Sequence, residues 1–500
     1  MLQQSSKNFD KTVIVYYNIV YLNILYGGER MFIGRENELS KLNRMYKSNK
    51  FEMAIIYGRR RVGKTTLINE FCKDKDTVLF PAIESNAEQN LEILSGAISY
   101  LQNGESNAEF RYKSFADAFS RLEELSQNKR IIFVIDEYPY LAKADKSISS
   151  VLQGYIDHNF KKTKLFVILC GSSMSFMEKR VLGYQSPLYG RRTAQFKIEP
   201  FDYYDTGKWF PSYTNEEKAI MYGITGGVPL YLEEFSPNLT IKENLLDNLF
   251  DKNAMLYEEP SNLLKQELRE PATYNAIISA IASGKSKLSE IASTVGVENG
   301  LCTKYIANLS SLGIVKKEIP VTELKSKRPI YQLEDNFFRF WFTFVAKNTA
   351  AIVSGRIEQS YDEVVAKRLS DYMGIIFEKM CGDYILYYDN SLPFNMSEIG
   401  QWWGGNPKTK KQEQIDVVVT SVDGNEGIIG SCKFKNDKIG SDELLLMQEY
   451  AEAMGCFDEK YFYFFSKSGF TDDMLKNKNN HTRFITLEDM YCINGKMQFK

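Results

Sequence analysis

The sequence predicts an α/β protein whose N-terminal half is built on a parallel sheet, and three apolar segments support this prediction. They cover residues 55–57, 131–135 and 164–170, and each is short and continuously apolar. Such runs are typical of strands that are buried on both faces of a parallel sheet. Amphipathic stretches at 86–101 and 115–125 predict helices between these strands.

The first strand leads into a glycine-rich turn and then into a helix. The segment fits the pattern G-x-x-x-x-G-K-[ST], in which backbone N–H groups and a helix N-terminus bind phosphate oxygens. Lys64 would reach the β- and γ-phosphates of a nucleotide, and the Thr65 hydroxyl would bind Mg²⁺. A chance match in a turn is the alternative, but the strand before it and the helix after it argue against chance. The candidate nucleotide-binding residues are Gly58, Arg59, Arg60, Arg61, Val62, Gly63, Lys64, Thr65 and Thr66.

The strand at 131–135 ends in two acids, Asp136 and Glu137. The carboxyl end of a central parallel strand faces the ligand in folds of this class. Asp136 would hold Mg²⁺ through water, and Glu137 would polarise the attacking water. The alternative is a core strand with a solvated acidic end.

Further candidates follow the strand at 164–170. Ser172 or Ser173 would contact the γ-phosphate or the attacking water, although a serine here would equally cap the next helix. Arg191 or Arg192 would neutralise transition-state charge, either within the chain or in a neighbouring subunit of a homo-oligomer. A surface arginine pair is the alternative.

Three motifs together resemble the prokaryotic archaeal-type ATPase family, which is related to AAA-like signalling ATPases. They are F-I-G-R-E-N-E-L at 32–39, S-P-L-Y-G-R-R at 186–192 and G-G-V-P-L-Y-L at 226–232. The resemblance implies a RecA-like P-loop NTPase sheet with a helical lid, and ATP with Mg²⁺ as its ligands. In such ATPases the first motif packs near the adenine.

The middle of the chain predicts the element order of a winged helix, which is three helices followed by a hairpin. The helices fall at 274–281, 288–292 and 301–309, and the strands at 314–318 and 329–333. Local basic charge would allow contact with the phosphates of double-stranded DNA, although a protein partner is an equal alternative. The basic residues are Lys304, Lys316, Lys317, Lys325, Lys327 and Arg328.

The last part of the chain resembles the PD-(D/E)xK nuclease-like domain that accompanies archaeal-type ATPases, a restriction-endonuclease-like α/β fold. The matched positions are Glu378, Asp416 and Lys433. In such nucleases the acids bind Mg²⁺, and the lysine helps orient or activate water.

One position departs from the nuclease pattern, because Ser431 stands where the second acid is expected. A neutral hydroxyl leaves the metal site one carboxylate short. We therefore expect a degenerate site with weak or lost nuclease activity and a retained fold. Glu426 and Glu449 are candidate substitutes that nothing else in the sequence supports.

These motifs divide the 500 residues into five segments. Residues 1–31 are expected to be a non-native or disordered extension, with translation starting at Met31, because 27–30 resemble a translated ribosome-binding site. The following segments are a P-loop ATPase domain at 32–235, a helical lid or linker at 236–272, a winged helix at 273–345 and the nuclease-like domain at 346–500.

The composition limits which binding partners and which cellular compartment are expected. The net charge of −2 gives no global nucleic-acid signature, so a nucleic acid would have to bind a local patch. Seven scattered cysteines without a C-x-x-C pair, and only two histidines, argue against a zinc site and suit a reducing cytoplasm. The apolar stretch at 12–26 is shorter than the ~20 residues that span a bilayer, so we expect no membrane partner.

The sequence thus predicts a cytoplasmic Mg²⁺-dependent ATPase that couples its nucleotide state to the winged-helix and nuclease-like domains. Two alternatives remain open. One is an ATP-binding switch with slow turnover, and the other is an ATP-gated DNA nuclease.

Overall fold

A computed structural model describes residues 32–104, 110–321, 329–406 and 409–493. The chain divides into two compact units, residues 1–199 and residues 200–500. Residues 200–235, which the sequence analysis groups with the ATPase domain, therefore lie in the second unit. The predicted extension at 1–31, together with Lys325, Lys327 and Arg328, lies outside the described residues.

The first unit alternates strands with helices, as expected for a parallel sheet. Two of its helices begin at capping residues, since the side chains of Asn86 and Ser114 accept hydrogen bonds from the first turn. The strands are β1 (Glu52–Tyr57), β2 (Thr77–Pro81), β3 (Ile131–Asp136), β4 (Leu165–Gly171) and β5 (Ala194–Lys197). The helices are Glu36–Lys47, Lys64–Cys72, Ala87–Asn103, Phe115–Ser126, Tyr138–Ala144, Ile148–His158 and Met174–Phe176.

All five strands run parallel in the order β2-β3-β4-β1-β5. Met53 and Ile55 pack into a core on one face of the sheet, whereas Ala54 and Ile56 pack into a core on the other. Helices cover both faces, which explains why the strands are apolar throughout. The predicted α/β fold class is confirmed, and the carboxyl ends of β1, β3 and β4 meet at one edge of the sheet.

The second unit begins with helices and a short hairpin. The strands β6 (Val315–Glu318) and β7 (Ile330–Leu333) pair antiparallel directly after three consecutive helices. This is the element order that the sequence predicts, while the assignment as a winged helix stays a prediction. The helices are Tyr203–Gly207, Asn215–Thr225, Pro229–Glu234, Ile241–Asn248, Glu259–Glu267, Pro271–Ala282, Leu288–Val295 and Asn299–Ser311.

The second unit ends in a separate mixed sheet of order β12-β11-β10-β9-β8. Its strands β8, β9 and β10 pair antiparallel, and β10, β11 and β12 pair parallel. The strands are β8 (Met396–Gly405), β9 (Gln412–Ser421), β10 (Glu426–Lys433), β11 (Glu459–Ser466) and β12 (Thr482–Thr486). The helices are Asn336–Phe340, Thr349–Val353, Ile357–Ser360, Ala366–Tyr387, Ser441–Met454, Asp472–Leu475 and Leu487–Tyr491.

Helices cover this second sheet on both faces. Ile428 and Cys432 of β10 share a core with Ile376 and Phe377 of the helix Ala366–Tyr387. Ile429, on the opposite face of the same strand, shares a core with the helix Ser441–Met454. Because side chains alternate along a strand, Ser431 and Lys433 lie on the same face of β10 as Ile429.

Within the described part of the chain, no helix is both long enough and apolar enough to cross a membrane.

Candidate functional site

The loop between β1 and the helix Lys64–Cys72 depends on unusual backbone conformations. Gly63 has a φ of 82° and Arg61 a φ of 74°, both in the left-handed region that favours glycine. A Cβ on Gly58 would meet the carbonyl oxygen of Ile198 inside normal contact distance. The loop therefore needs glycine at both ends of the motif, in agreement with the predicted phosphate-binding turn.

Lys64 starts the helix that follows this loop and is buried, with 7% of its surface exposed. Its Nζ donates a hydrogen bond to the carbonyl oxygen of Arg59, at 2.9 Å. The ammonium group thus lies against the loop and does not extend into solvent. In this position its charge acts on any anion that the loop amides bind.

Thr65 and Asp136 come together from separate elements. The Thr65 hydroxyl donates to Oδ2 of Asp136 at 3.1 Å, and Oδ1 of Asp136 accepts from the backbone N–H of Glu137 at 3.0 Å. A hydroxyl and a carboxylate oxygen fit Mg²⁺, which prefers oxygen ligands and keeps several waters when only one or two protein groups bind it. The predicted Mg²⁺ ligands are therefore neighbours in the fold.

Glu137 combines a strained backbone with a carboxylate that is bound by the residue directly after β4. Its φ is 51°, which is uncommon for a residue with a side chain. Its carboxylate accepts hydrogen bonds from both the backbone N–H and the hydroxyl of Ser172, at 3.1 and 3.0 Å. Ser172 is 3% exposed, so these bonds are shielded from water.

The position of Ser172 bears on the two roles that the sequence leaves open, namely contact with the γ-phosphate or the attacking water and capping of the next helix. Its side chain binds the candidate catalytic carboxylate of Glu137. Ser173, at the N-terminus of the short helix Met174–Phe176, makes no capping hydrogen bond through its side chain. The geometry therefore favours a role for Ser172 in positioning Glu137.

The two candidate arginines have different surroundings. Arg191 donates two hydrogen bonds to Oδ2 of Asp157, at 3.0 and 2.6 Å, and these bonds lower the pKa of Asp157. Arg192 lies over the ring of Tyr189, 5.9 Å from its centroid. The charge of Arg192 also acts on Tyr57, the residue before the loop, where it partly opposes the burial that raises the pKa of the phenol.

Arg35 is a site residue that the sequence analysis named only as part of a motif. It has a φ of 64°, and its guanidinium donates to the carbonyl oxygen of Val62 in the loop, at 3.2 Å. The same guanidinium nitrogen also donates to the carbonyl oxygen of Glu199. The F-I-G-R-E motif therefore contacts the loop directly through Arg35. Because the motif is distant from the loop in sequence, the sequence analysis did not predict this contact.

The nuclease-like residues form a second cluster, in the second unit. Lys433 Nζ lies 3.7 Å from Oδ2 of Asp416, and the side-chain amide of Gln401 donates to Glu378 at 2.7 Å. Burial and the neighbouring Asp416 raise the pKa of Glu378 to about 8. The structure therefore brings the three matched residues into one neighbourhood.

The acid that lies beside Ser431 is not one of the two that the sequence analysis suggests. Ser431 donates to Oε1 of Glu443 at 2.6 Å, and Lys433 Nζ lies 3.1 Å from the same oxygen. Glu426 instead accepts from a tyrosine hydroxyl, and Glu449 from an asparagine amide. Glu443 is thus the acid beside Ser431, and the sequence analysis missed it.

Comparisons with known proteins match two separate stretches of the chain. Residues 32–235 match the family described as an ATPase domain predominantly from Archaea. Residues 341–447 match a family described as archaeal and bacterial proteins of unknown function.

Three similar proteins illustrate these matches. The uncharacterized protein MJECL04 of Methanocaldococcus jannaschii is 32% identical over 411 residues, which cover 82% of this chain and 88% of that protein. The uncharacterized ATP-binding protein MJ0423 of the same organism is 51% identical over 45 residues, 9% of this chain and 76% of that protein. The Walker-type ATPase PABY2304 of Pyrococcus abyssi is 19% identical, with a TM-score of 0.47, and the match covers 62% of this chain and 96% of that chain.

The hydrogen bonds of Ser172 generate the first prediction. Ser172→Ala removes one donor to the Glu137 carboxylate, and a hydrogen bond to a charged group is worth about 1.5–3 kcal/mol. If Glu137 acts in turnover, we expect kcat to fall roughly tenfold or more, while nucleotide affinity stays unchanged. Steady-state kinetics and calorimetry measure these two quantities.

Two further variants control this experiment. Ser172→Thr keeps the hydroxyl and is expected to recover most of the rate. Ser173→Ala changes the adjacent serine and is expected to behave like the unaltered protein. A loss of nucleotide affinity in Ser172→Ala, with kcat preserved, would show that Ser172 contacts the nucleotide instead.

Proposed function

The chain belongs to the family of ATPases whose domain occurs predominantly in Archaea, and on this basis we propose that it binds ATP with Mg²⁺ and hydrolyses it. One observation carries the proposal. The phosphate-loop residues Lys64 and Thr65, the Mg²⁺ candidate Asp136 and the water-polarising candidate Glu137 all lie at one edge of a single parallel sheet. Ligands bind at this edge in open α/β folds.

Each residue has a role that its position supports. The loop amides and Lys64 hold the β- and γ-phosphates, which positions the terminal phosphorus for in-line attack. Thr65, and Asp136 through water, would hold Mg²⁺, which would neutralise charge on the phosphate oxygens. Glu137 accepts a hydrogen bond from the attacking water and orients it toward phosphorus. The water oxygen bonds to the γ-phosphorus as the bond to the bridging oxygen breaks, the water gives up a proton to the phosphate or to solvent, and ADP and inorganic phosphate leave.

We propose further that the nucleotide state is passed from the loop to residues 200–500. The backbone N–H of Ile198 donates to the carbonyl oxygen of Tyr57 at 2.7 Å, just before the loop. Arg35 binds both the loop, at Val62, and Glu199, the last residue of the first unit. A shift of the loop is therefore transmitted along the backbone that enters the second unit.

Contact with double-stranded DNA would use the hairpin and the helix before it. Lys304 and Lys317 are exposed in this region, whereas Lys316 forms ion pairs with Glu318 and Glu334. Two exposed lysines support a modest, salt-dependent contact with phosphates. A protein partner at this surface is the alternative, and binding assays with duplex DNA at two salt concentrations separate the two.

A slow ATP-binding switch is the second candidate function. It is favoured by the two hydrogen bonds from Ser172, because both of them occupy Oε2 of the Glu137 carboxylate. Single-turnover measurements with and without DNA distinguish it from a fast ATPase. A switch retains nucleotide tightly and shows almost no steady-state turnover.

Replacing Lys64 tests the proposal directly. Lys64→Ala removes the buried ammonium group, and we expect ATP turnover to fall by roughly 10²–10³-fold, with weaker nucleotide binding. Malachite-green phosphate release and calorimetry with ATP and Mg²⁺ measure the two effects. Lys73→Ala, a lysine just beyond the same helix, serves as the control. Normal kinetics in Lys64→Ala would exclude this loop as the ATPase site.

The variant Glu137→Gln distinguishes the binding of ATP from its hydrolysis. The amide can still accept a hydrogen bond from Ser172 but is a poor base, so ATP is expected to stay bound while hydrolysis falls by about 10²–10⁴-fold. Filter binding and phosphate release on the same preparation give both values. Hydrolysis at the unaltered rate would remove Glu137 from the mechanism.

The two arginines are expected to differ. Because Asp157 occupies the guanidinium of Arg191, we propose that Arg192 is the arginine that reaches the transition state. Arg192→Ala should lower kcat by about 10³-fold or more. Arg191→Ala should cost only the ion pair, about 0.2–1 kcal/mol of stability, seen as a lower Tm with turnover preserved.

A mixing experiment decides whether Arg192 acts within one chain or between two. Arg192→Ala and Glu137→Gln chains are combined, and phosphate release is compared with each variant alone. Partial recovery indicates a homo-oligomer in which one subunit completes the site of another. A larger kcat loss in Arg191→Ala than in Arg192→Ala would reverse the assignment.

A further inference from the structure

A side-chain hydrogen bond that the ATPase proposal does not use joins the phosphate loop to the segment of Glu137. Arg60 is the third residue of the loop motif, and its Nη2 donates to the hydroxyl of Tyr140 at 2.8 Å. Tyr140 belongs to the helix Tyr138–Ala144, which starts directly after Glu137. The backbone N–H of Tyr140 also donates to the carbonyl oxygen of Glu137, at 2.9 Å. The guanidinium of Arg60 is therefore anchored to the first turn after the candidate water-polarising acid.

The helix that carries Tyr140 is held against the core by the two residues before it. The ring of Tyr138 is fully buried, and its hydroxyl shares a hydrogen bond of 2.7 Å with a serine hydroxyl. Pro139 lies so close to Gly171 of β4 that a Cβ on this glycine would come within 2.8 Å of the proline ring. The ring of Tyr140 itself packs against the core on one face of the sheet. Its hydroxyl is thus presented from a rigid support.

The loop concentrates positive charge around the phosphates that it is proposed to bind. Four positive charges fall within six residues, on Arg59, Arg60, Arg61 and Lys64. Like charges at this spacing repel one another until an anion binds. A guanidinium carries five N–H groups in a planar fork, so that of Arg60 can bind the Tyr140 hydroxyl and a phosphate oxygen at the same time.

The position of Tyr140 indicates which phosphate Arg60 faces. Attack on ATP takes place at the terminal phosphorus, and Glu137 is proposed to orient the water for it. Thr65, at the start of the loop helix, is held to the same strand end through Asp136. Because Tyr140 binds the guanidinium beside the turn of Glu137, Arg60 lies on the side of the loop where the terminal phosphate and the water would meet.

We propose that Arg60 binds the terminal phosphate of ATP and that Tyr140 is the positioning residue that holds Arg60 in place for this contact. The inference rests on the ATPase proposal and assigns a role to two side chains that it leaves unused. Arginine donors aimed at a transferring phosphoryl group stabilise its oxygens in the transition state. Arg60 comes from the loop of the same chain, so this contact does not depend on whether Arg192 acts within one chain or between two.

The test is a double-mutant cycle on Arg60 and Tyr140 in the full-length chain. Tyr140→Phe removes only the hydroxyl that Arg60 binds, and Arg60→Ala removes the guanidinium. Tyr155→Phe is the matched control, because the Tyr155 hydroxyl bonds with that of Ser120, at 2.7 Å, between two other helices of the same unit. Phosphate release in Mg²⁺ buffer gives ATP turnover. Calorimetry gives the affinities for ADP and for ADP with aluminium fluoride, which mimics the transferring phosphate.

We expect Tyr140→Phe to lower kcat roughly tenfold or more, since a hydrogen bond to a charged group is lost. Arg60→Ala should lower it by about 10²–10³-fold. Both variants should bind ADP as the unaltered protein does, but should bind ADP with aluminium fluoride roughly tenfold or more weakly. The double variant should lose no more than Arg60→Ala alone, because the hydroxyl acts only through the guanidinium. Tyr155→Phe should change none of these values, and circular dichroism confirms that each variant is folded.

Three results would overturn the inference and leave the ATPase proposal intact. The first is an unaltered or higher kcat in Tyr140→Phe or in Arg60→Ala. The second is a double variant in which the two losses add, which would show that the two side chains act independently. The third is an equal loss of affinity for ADP and for ADP with aluminium fluoride, which would place Arg60 at another phosphate. An unaltered protein that neither binds nor hydrolyses ATP would instead remove the ATPase proposal, and this inference with it.

Discussion

The first unit depends on a loop whose backbone requires glycine at two positions. Gly58 lies against the carbonyl group of Ile198, and Gly63 adopts a left-handed conformation at the start of the helix. A conformation of this kind costs free energy in most residues and persists only where the surroundings impose it. Arg35 supplies part of that constraint by binding the loop carbonyl of Val62. The loop is thus shaped before any phosphate arrives, so the cost of ordering it is met during folding.

The parallel sheet then determines which residues can join the loop. In a parallel sheet joined by helical crossovers every strand ends at the same edge, so residues that are far apart in the chain meet there. β1, β3 and β4 are adjacent strands, and the residues after them are the loop, Glu137 and Ser172. This adjacency explains why one hydroxyl from the loop helix reaches Asp136 and why Ser172 reaches Glu137. The set of side chains that meet in the site is therefore a consequence of the strand order.

The sequence predicted those parts of the molecule in which a local pattern determines the structure. The phosphate loop and the acids after β3 follow directly from short motifs, and the confirmed α/β fold follows from apolar runs. The separate roles of adjacent residues are harder to predict from sequence. Arg191 and Arg192 share a motif, but only Arg191 binds Asp157. Glu443 was missed because its relation to Ser431 depends on how a helix packs on a sheet. Glu426 and Glu449 were equally plausible until that packing was known.

The two clusters show how one chemical requirement is met in different ways. In the first unit the two oxygens proposed to hold a cation, from Thr65 and Asp136, come from a helix start and a strand end whose relation is fixed by the sheet. In the second unit a strand supplies Lys433, and Glu443 comes from the helix that packs on it. The position of a carboxylate in space matters for binding a cation, whereas the element that carries it does not. The expectation of a degenerate nuclease-like site stays a prediction, and the structure adds that the carboxylate of Glu443 lies 2.6 Å from the hydroxyl of Ser431, where the motif lacks an acid.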